Sequence, residues 1–162
     1  MKKISCVVLI ILSMLLCACN ISNGKTDYYD FPLKDNGYPN WDNLIIDDEI
    51  YDLETNSDDL SKSKDINYKI DNDRDTIRIV IPKRMPIVNW VAEYDAELFS
   101  LTESTIQSNL RTNEPVEGES GELQKFIFKY NSEVEAANIK LLLRNVDTAD
   151  DIIYSITIHI SK

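Results

Sequence analysis

Beyond position 19 the chain contains no cysteine, since Cys6, Cys17 and Cys19 are the only three. A domain built from the remainder has no disulfide, no thiolate metal ligand and no cysteine nucleophile, so packing and hydrogen bonding must hold it together. Histidine is almost as scarce. A Ser-His-Asp triad or a histidine-rich metal site would have to be built on His159 alone. Four glycines in 162 residues supply no phosphate-cradling loop. Positive charge is short as well: 17 Lys and Arg stand against 28 Asp and Glu, a formal charge of −11. Such a surface repels phosphate backbones and anionic headgroups, which argues against a nucleic-acid partner. Solubility is the plain consequence of this charge, and attraction to a basic partner is the sharper one. These absences point to a protein that is not an enzyme and carries neither cofactor nor metal.

One long apolar run is present, and it lies at the start. Met1-Lys2-Lys3 is positive, Val7 to Leu16 is apolar except for Ser13, and Ala18-Cys19 precedes the polar Asn20. The run is shorter than the roughly 20 residues of a membrane span and has the layout of a cleavable secretion signal. Leu16-Cys17-Ala18-Cys19 resembles the lipobox of bacterial lipoproteins. That resemblance implies removal of residues 1–18 and acylation of Cys19. The chain would then be lipid-anchored at the extracytoplasmic face of the cell membrane. More than one acyl chain is needed for stable anchoring, and a diacyl or triacyl cysteine meets that need without help from the protein surface.

Residues 19–63 read as the lipidated cysteine and an acidic tether. Gly24, Pro32, Gly37 and Pro39 break its first half. Tyr28, Tyr29, Phe31, Tyr38 and Trp41 are unusual in a pure linker, and docking on the domain accounts for them better than a contact site does. Leu44, Ile45, Ile46 and Ile50 fit no clean period, so no element is assigned there.

From residue 64 the pattern changes to period two. Ile66, Tyr68 and Ile70 alternate with polar residues; Ile77, Ile79 and Ile81 follow the Asp71–Asp75 turn, and Pro82 stops that strand. Strands are expected at 87–94, 97–101 and 105–110, then at Phe126, Phe128 and Tyr130, and at Ile139, Leu141 and Leu143. The last runs through Ile152, Tyr154, Ile156, Ile158 and Ile160, alternating with Ile153, Ser155, Thr157 and His159, which puts His159 on the opposite, exposed face. Short strands without a convincing helix predict that 64–162 is an all-β, immunoglobulin-like antiparallel β-sandwich. Asp71-Asn72-Asp73-Arg74-Asp75 begins like a calcium loop, but Thr76 and Pro82 stand where glycine and glutamate belong, so an acidic hairpin turn is the better reading. Glu93, Asp95 and Glu97 fall on a solvent face.

The order of elements across 76–160 resembles the chagasin family, immunoglobulin-like inhibitors of papain-type cysteine peptidases. Thr76–Pro82 matches its first strand, and Met85-Pro86-Ile87-Val88-Asn89-Trp90 stands at its first loop, two residues shorter and without the family's threonines and glycine. Gly118-Glu119-Ser120-Gly121, followed by Phe126-Ile127-Phe128, matches the glycine-rich loop and its Phe-x-Phe strand. Leu141-Leu142-Leu143-Arg144 approaches the third loop, where Asn145-Val146 replaces Pro-Trp. The resemblance implies that loops 83–89, 116–122 and 144–150 form a wedge for a peptidase cleft, with Met85, Pro86, Trp90, Gly118, Gly121 and Arg144 as candidate partner-binding residues. The expected function is a membrane-anchored binding module, in its sharper form a peptidase inhibitor. The alternative is a structural or assembly component of the cell envelope whose partner is another envelope protein.

Overall fold

Period-two alternation becomes strand wherever it is clean. The computed structural model describes residues 30–53, 63–70, 74–112, 114–131, 135–148 and 151–162. The leader, Cys19, Tyr28, Tyr29 and Asp71–Asp73 lie outside these, so the lipobox and calcium-loop readings fall on residues the structure does not describe. The strands are β1 (Asn43–Ile46), β2 (Glu49–Asp52), β3 (Ser63–Lys69), β4 (Thr76–Pro82), β5 (Val88–Tyr94), β6 (Phe99–Ser108), β7 (Glu122–Tyr130), β8 (Ala136–Asn145) and β9 (Ile152–Ser161). No helix among them is long and apolar enough to cross a membrane.

The strands form two sheets, ordered β2-β1-β4-β7-β6 and β3-β9-β8-β5. With β1, β4, β7 and β6 in positions A, B, E and D, and β5, β8 and β9 in C, F and G, this is the strand order of an immunoglobulin sandwich. β2 extends the first sheet and β3 the second. The expectation of a wholly antiparallel sandwich needs one correction, because β3 pairs with β9 in parallel from Ser63↔Ser155 to Lys69↔Ser161. Parallel neighbours need a long crossover, and here the rest of the sandwich lies between them in the chain.

Two further differences have physical causes. The short strands expected at 97–101 and 105–110 are one strand, β6. Its register against β7 shifts between Leu101 and Glu103, and the extra Thr102 puts the alternation out of phase. Residues 43–52, left unassigned, form the β1–β2 hairpin. β1 joins the first sheet through Ile45↔Val80 and Ile46↔Ile79, and its three consecutive apolar residues are buried on both faces, which hides any period. The boundary drawn at residue 64 thus lies inside the compact unit Phe31–Lys162.

Between the sheets, Ile77, Ile79 and Ile81 of β4 and Phe126 and Phe128 of β7 meet Ile139, Leu141 and Leu143 of β8 and Ile156 and Ile158 of β9, all buried. Burying each such side chain contributes about 1.5–3 kcal/mol. Two polar devices join the layers. Gln124 faces inward among the phenylalanines of β7 and reaches β5, where its Oε1 accepts from Trp90 N at 3.0 Å. Its Nε2 donates to Trp90 O, also at 3.0 Å. In the β1–β2 turn, beside Arg78 of β4, buried Asp47 sits at φ 53°, a region that Asp tolerates better than most residues. It accepts hydrogen bonds from the Tyr68 hydroxyl of β3 and, at 2.9 Å, from Arg78 N.

Candidate functional site

Strand order decides which loops meet. β4 and β6 both run toward the same end of the first sheet, and β8 toward that end of the second, so the β4–β5, β6–β7 and β8–β9 connections gather there. Backbone hydrogen bonds tie them together. Lys83 N donates to Glu122 O at 2.9 Å, Ser120 N to Arg84 O at 3.4 Å, and Val146 N to Ile87 O at 2.8 Å. The Lys83 ammonium is buried and neutralised by Glu122 at 2.7 Å, which anchors the base of the first loop.

The N-terminal segment adds a fourth piece. Phe31 and Tyr38 are buried, so these two aromatics of the supposed tether dock on the domain. Tyr38 Oη accepts from Val116 N at 2.6 Å, and Arg111 N donates to Gly37 O at 3.1 Å. Trp41 lies under the Lys34 ammonium, 3.2 Å from the ring centroid, and Arg84 of the first loop is 5.3 Å from the same centroid. A cavity of about 20 Å³ lies between Trp41, Pro82, Arg84, Trp90 and Tyr154. That is far below the several hundred Å³ of a small-molecule pocket. The cavity is thus too small to enclose a drug-sized ligand.

The sequence-predicted residues fall in different places. Pro86 is exposed on the first loop, whereas Met85 is partly buried against the core. Trp90 is only 6% exposed; it packs edge-on to Tyr154 and donates from Nε1 to Pro82 O at 2.9 Å. It shapes the loop base from within. Gly118 is exposed at φ 84°, a conformation that favours glycine, and Gly121 leaves room for Leu110, whose Cβ would lie 2.8 Å from an added methyl. Arg144 lies in β8 rather than at a loop tip. It shares the outer face with Glu93 of β5, which it meets at 3.1 Å.

The composition of the loops did not single out the apolar residues that this end displays. Ile87 is 52% exposed, Val146 56% and Val116 42%, and Ile152 lies beside Arg144 at the base of the third loop. An apolar residue within or beside a strand connection was the available signal. Elsewhere, Glu93, Asp95 and Glu97 are exposed. His159 is partly exposed, with Nδ1 2.9 Å from Asn138 Oδ1 and Nε2 3.1 Å from Asp65 Oδ1. Among the described residues no three His, Cys, Asp or Glu side chains are placed to hold a metal ion.

No family model matches this chain. No curated protein matches it either. Among solved structures, the chain is similar to a cysteine protease inhibitor, EhICP2, from Entamoeba histolytica. The identity is 20%, the match covers 61% of this chain and 82% of that one, and the TM-score is 0.41. The immunoglobulin-like fold rests on the strand order itself.

Proposed function

We propose that the protein is a lipid-anchored, extracytoplasmic binding module that engages a protein partner through the end of the sandwich where the three loops meet. One observation supports this reading above the others. Three loops from both sheets are tied by backbone hydrogen bonds, and the surface they form exposes Ile87, Val116 and Val146. A pre-ordered loop cluster loses little entropy on docking, and apolar side chains held at its rim supply contact area.

The sharper form of the proposal is inhibition of a papain-type cysteine peptidase, with the Met85–Ile87 turn and Val146 entering the cleft. Pro86 stiffens the first loop. Arg144, held by Glu93, supports the surface from its flank. The test is a titration of a papain-type peptidase with the full chain carrying Cys19→Ala, beside variants that add Ile87→Asp or Val146→Asp. Saturable inhibition weakened at least roughly tenfold by either aspartate is the expected result, since each would place a charge in the buried centre of the contact. Inhibition indifferent to both substitutions would rule out this surface. The anchor is tested in the same series. Wild-type chain should fractionate with membranes and incorporate labelled fatty acid, and the Cys19→Ala chain should do neither.

A further inference from the structure

Exposed strand edges are normally blunted by shortness, charge, proline or cover, because their unpaired backbone groups invite another strand. Among the described strands, three of the four sheet edges are treated in that way. β2 has only four residues and carries exposed Glu49 and Asp52. β3 presents Asp65, Asn67 and Lys69. On β5, the backbone N–H and C=O of Trp90 are both taken by Gln124.

β6 is different. It ends the first sheet with β7 as its strand neighbour, and beyond the bulge it continues in regular register from Glu103↔Ile127 to Ser108↔Glu122. Ser104, Thr105, Ile106, Gln107 and Ser108 are all exposed, Ile106 by 44%. This stretch contains no proline and no lysine, and its one charge is cancelled: Glu103 receives the Lys125 ammonium at 2.7 Å and the Thr105 hydroxyl at 3.0 Å. Sequence and geometry together leave a regularly paired, charge-neutral, β-forming edge about six residues long. Acidic residues predominate at both ends. Asp95 and Glu97 are exposed in the turn before β6, and Glu114 and Glu117, with Arg111 as the one cation, in the loop after it.

We propose that the outer edge of β6 receives an extended segment of a basic protein partner, added to the first sheet as a further strand. A row of main-chain hydrogen bonds supplies the attachment, as in other strand additions. Charge selects the occupant. An uncharged, alternating centre suits Glu103–Ser108, while Lys or Arg at the flanks meets the acidic ends. A second copy of this chain fits poorly. Antiparallel self-pairing brings Asp95 and Glu97 of one copy against Glu114 and Glu117 of the other, on molecules that each carry −11. This surface borders the three-loop end at Glu114 and Glu117 but is formed by the edge of β6 rather than by Ile87 and Val146.

The test uses the full chain carrying Cys19→Ala and a peptide, Lys-Lys-Thr-Val-Thr-Ile-Ser-Val-Lys-Lys, titrated while backbone amide shifts are followed by NMR. Saturable shifts centred on residues 103–108 are expected. Binding should weaken roughly tenfold or more when the flanking lysines become glutamates, and be lost when alternate backbone nitrogens of the peptide are methylated. An Ile106→Lys variant, with an unchanged denaturant midpoint, should also weaken binding by placing like charge at the edge. Equal binding of the glutamate-flanked peptide, or shifts centred elsewhere, would overturn the proposal. So would self-association through β6 at the same concentration, seen by sedimentation velocity and abolished by Ile106→Lys.

Discussion

Gln124 and Asp47 are polar residues placed where the fold buries them, and each is satisfied by backbone or side chain of the opposite sheet. Removing one partner of such a bond exposes the cost of burying the other. Gln124→Ala strands both the N–H and the C=O of Trp90, and should lower stability by about 1–3 kcal/mol. A urea midpoint unchanged from wild type would contradict the clamp. The turn after β1 makes a second expectation, with a sign set by its ionisation. Arg74 and Arg78 donate to Asp48 at 2.8 and 3.0 Å and hold its carboxyl below the ordinary range. A depressed folded value means that the stability is present above the ordinary carboxylate range and is lost as pH falls through the folded value. Asp48 is largely exposed, so the effect is screened and should stay below about 1 kcal/mol. Asp48→Asn should flatten the acid limb of the stability curve, less so in high salt. Parallel curves for the two proteins would contradict the linkage. Neither Gln124 nor Asp47 was singled out in the sequence. Gln124 shares the inward parity of Phe126 and Phe128, but a polar residue at an inward position does not name its partner on another strand.

At the scale of strands, legibility followed the phase of the pattern. β9 alternates cleanly from Tyr154 onward and was placed with its faces correctly assigned at Tyr154, Ile156, Ile158 and Ile160, whereas Ile152, expected on the inward face, is exposed where the register against β8 shifts. β6 was split because Thr102 adds one residue at the bulge, and β1 was missed because a strand buried on both faces has no polar side to mark its period. The parallel pairing of β3 with β9 could not be read at all, since alternation reports faces and not neighbours. The β9 register makes a comparison within a single strand. Ile156→Asp or Ile158→Asp buries an unpaired charge between the sheets and should leave the domain unfolded. His159→Ala, on the outer face, gives up only partly exposed bonds to Asn138 and Asp65 and should cost under about 1 kcal/mol. Circular dichroism and denaturant midpoints in the reverse order would put the strand one residue out of register.

For the molecule as a whole, the two ends of the sandwich are chemically unlike. One end is closed by ionic and hydroxyl groups: Asp47, Asp48, Arg74 and Arg78, with Tyr68 reaching across from the second sheet. The other gathers three loops and the N-terminal segment, and displays Ile87 and Val146 side by side through their backbone bond. That gathering follows from strand order, a property of the assembled sheets, so alternation and turn residues could name the loops, and only the family resemblance implied that they meet at one end. The most direct measurement is site-specific photo-crosslinking in intact cells that express the full chain. A photoreactive residue would be placed at Ile87 or Val146, and in parallel at Asp48 or Ile50 at the opposite end. Binding through the loop end requires that positions 87 and 146 capture the same protein in similar yield while 48 and 50 capture none of it. Capture of that protein from 48 or 50 with none from 87 and 146 would contradict the assignment of the loop end as the binding surface.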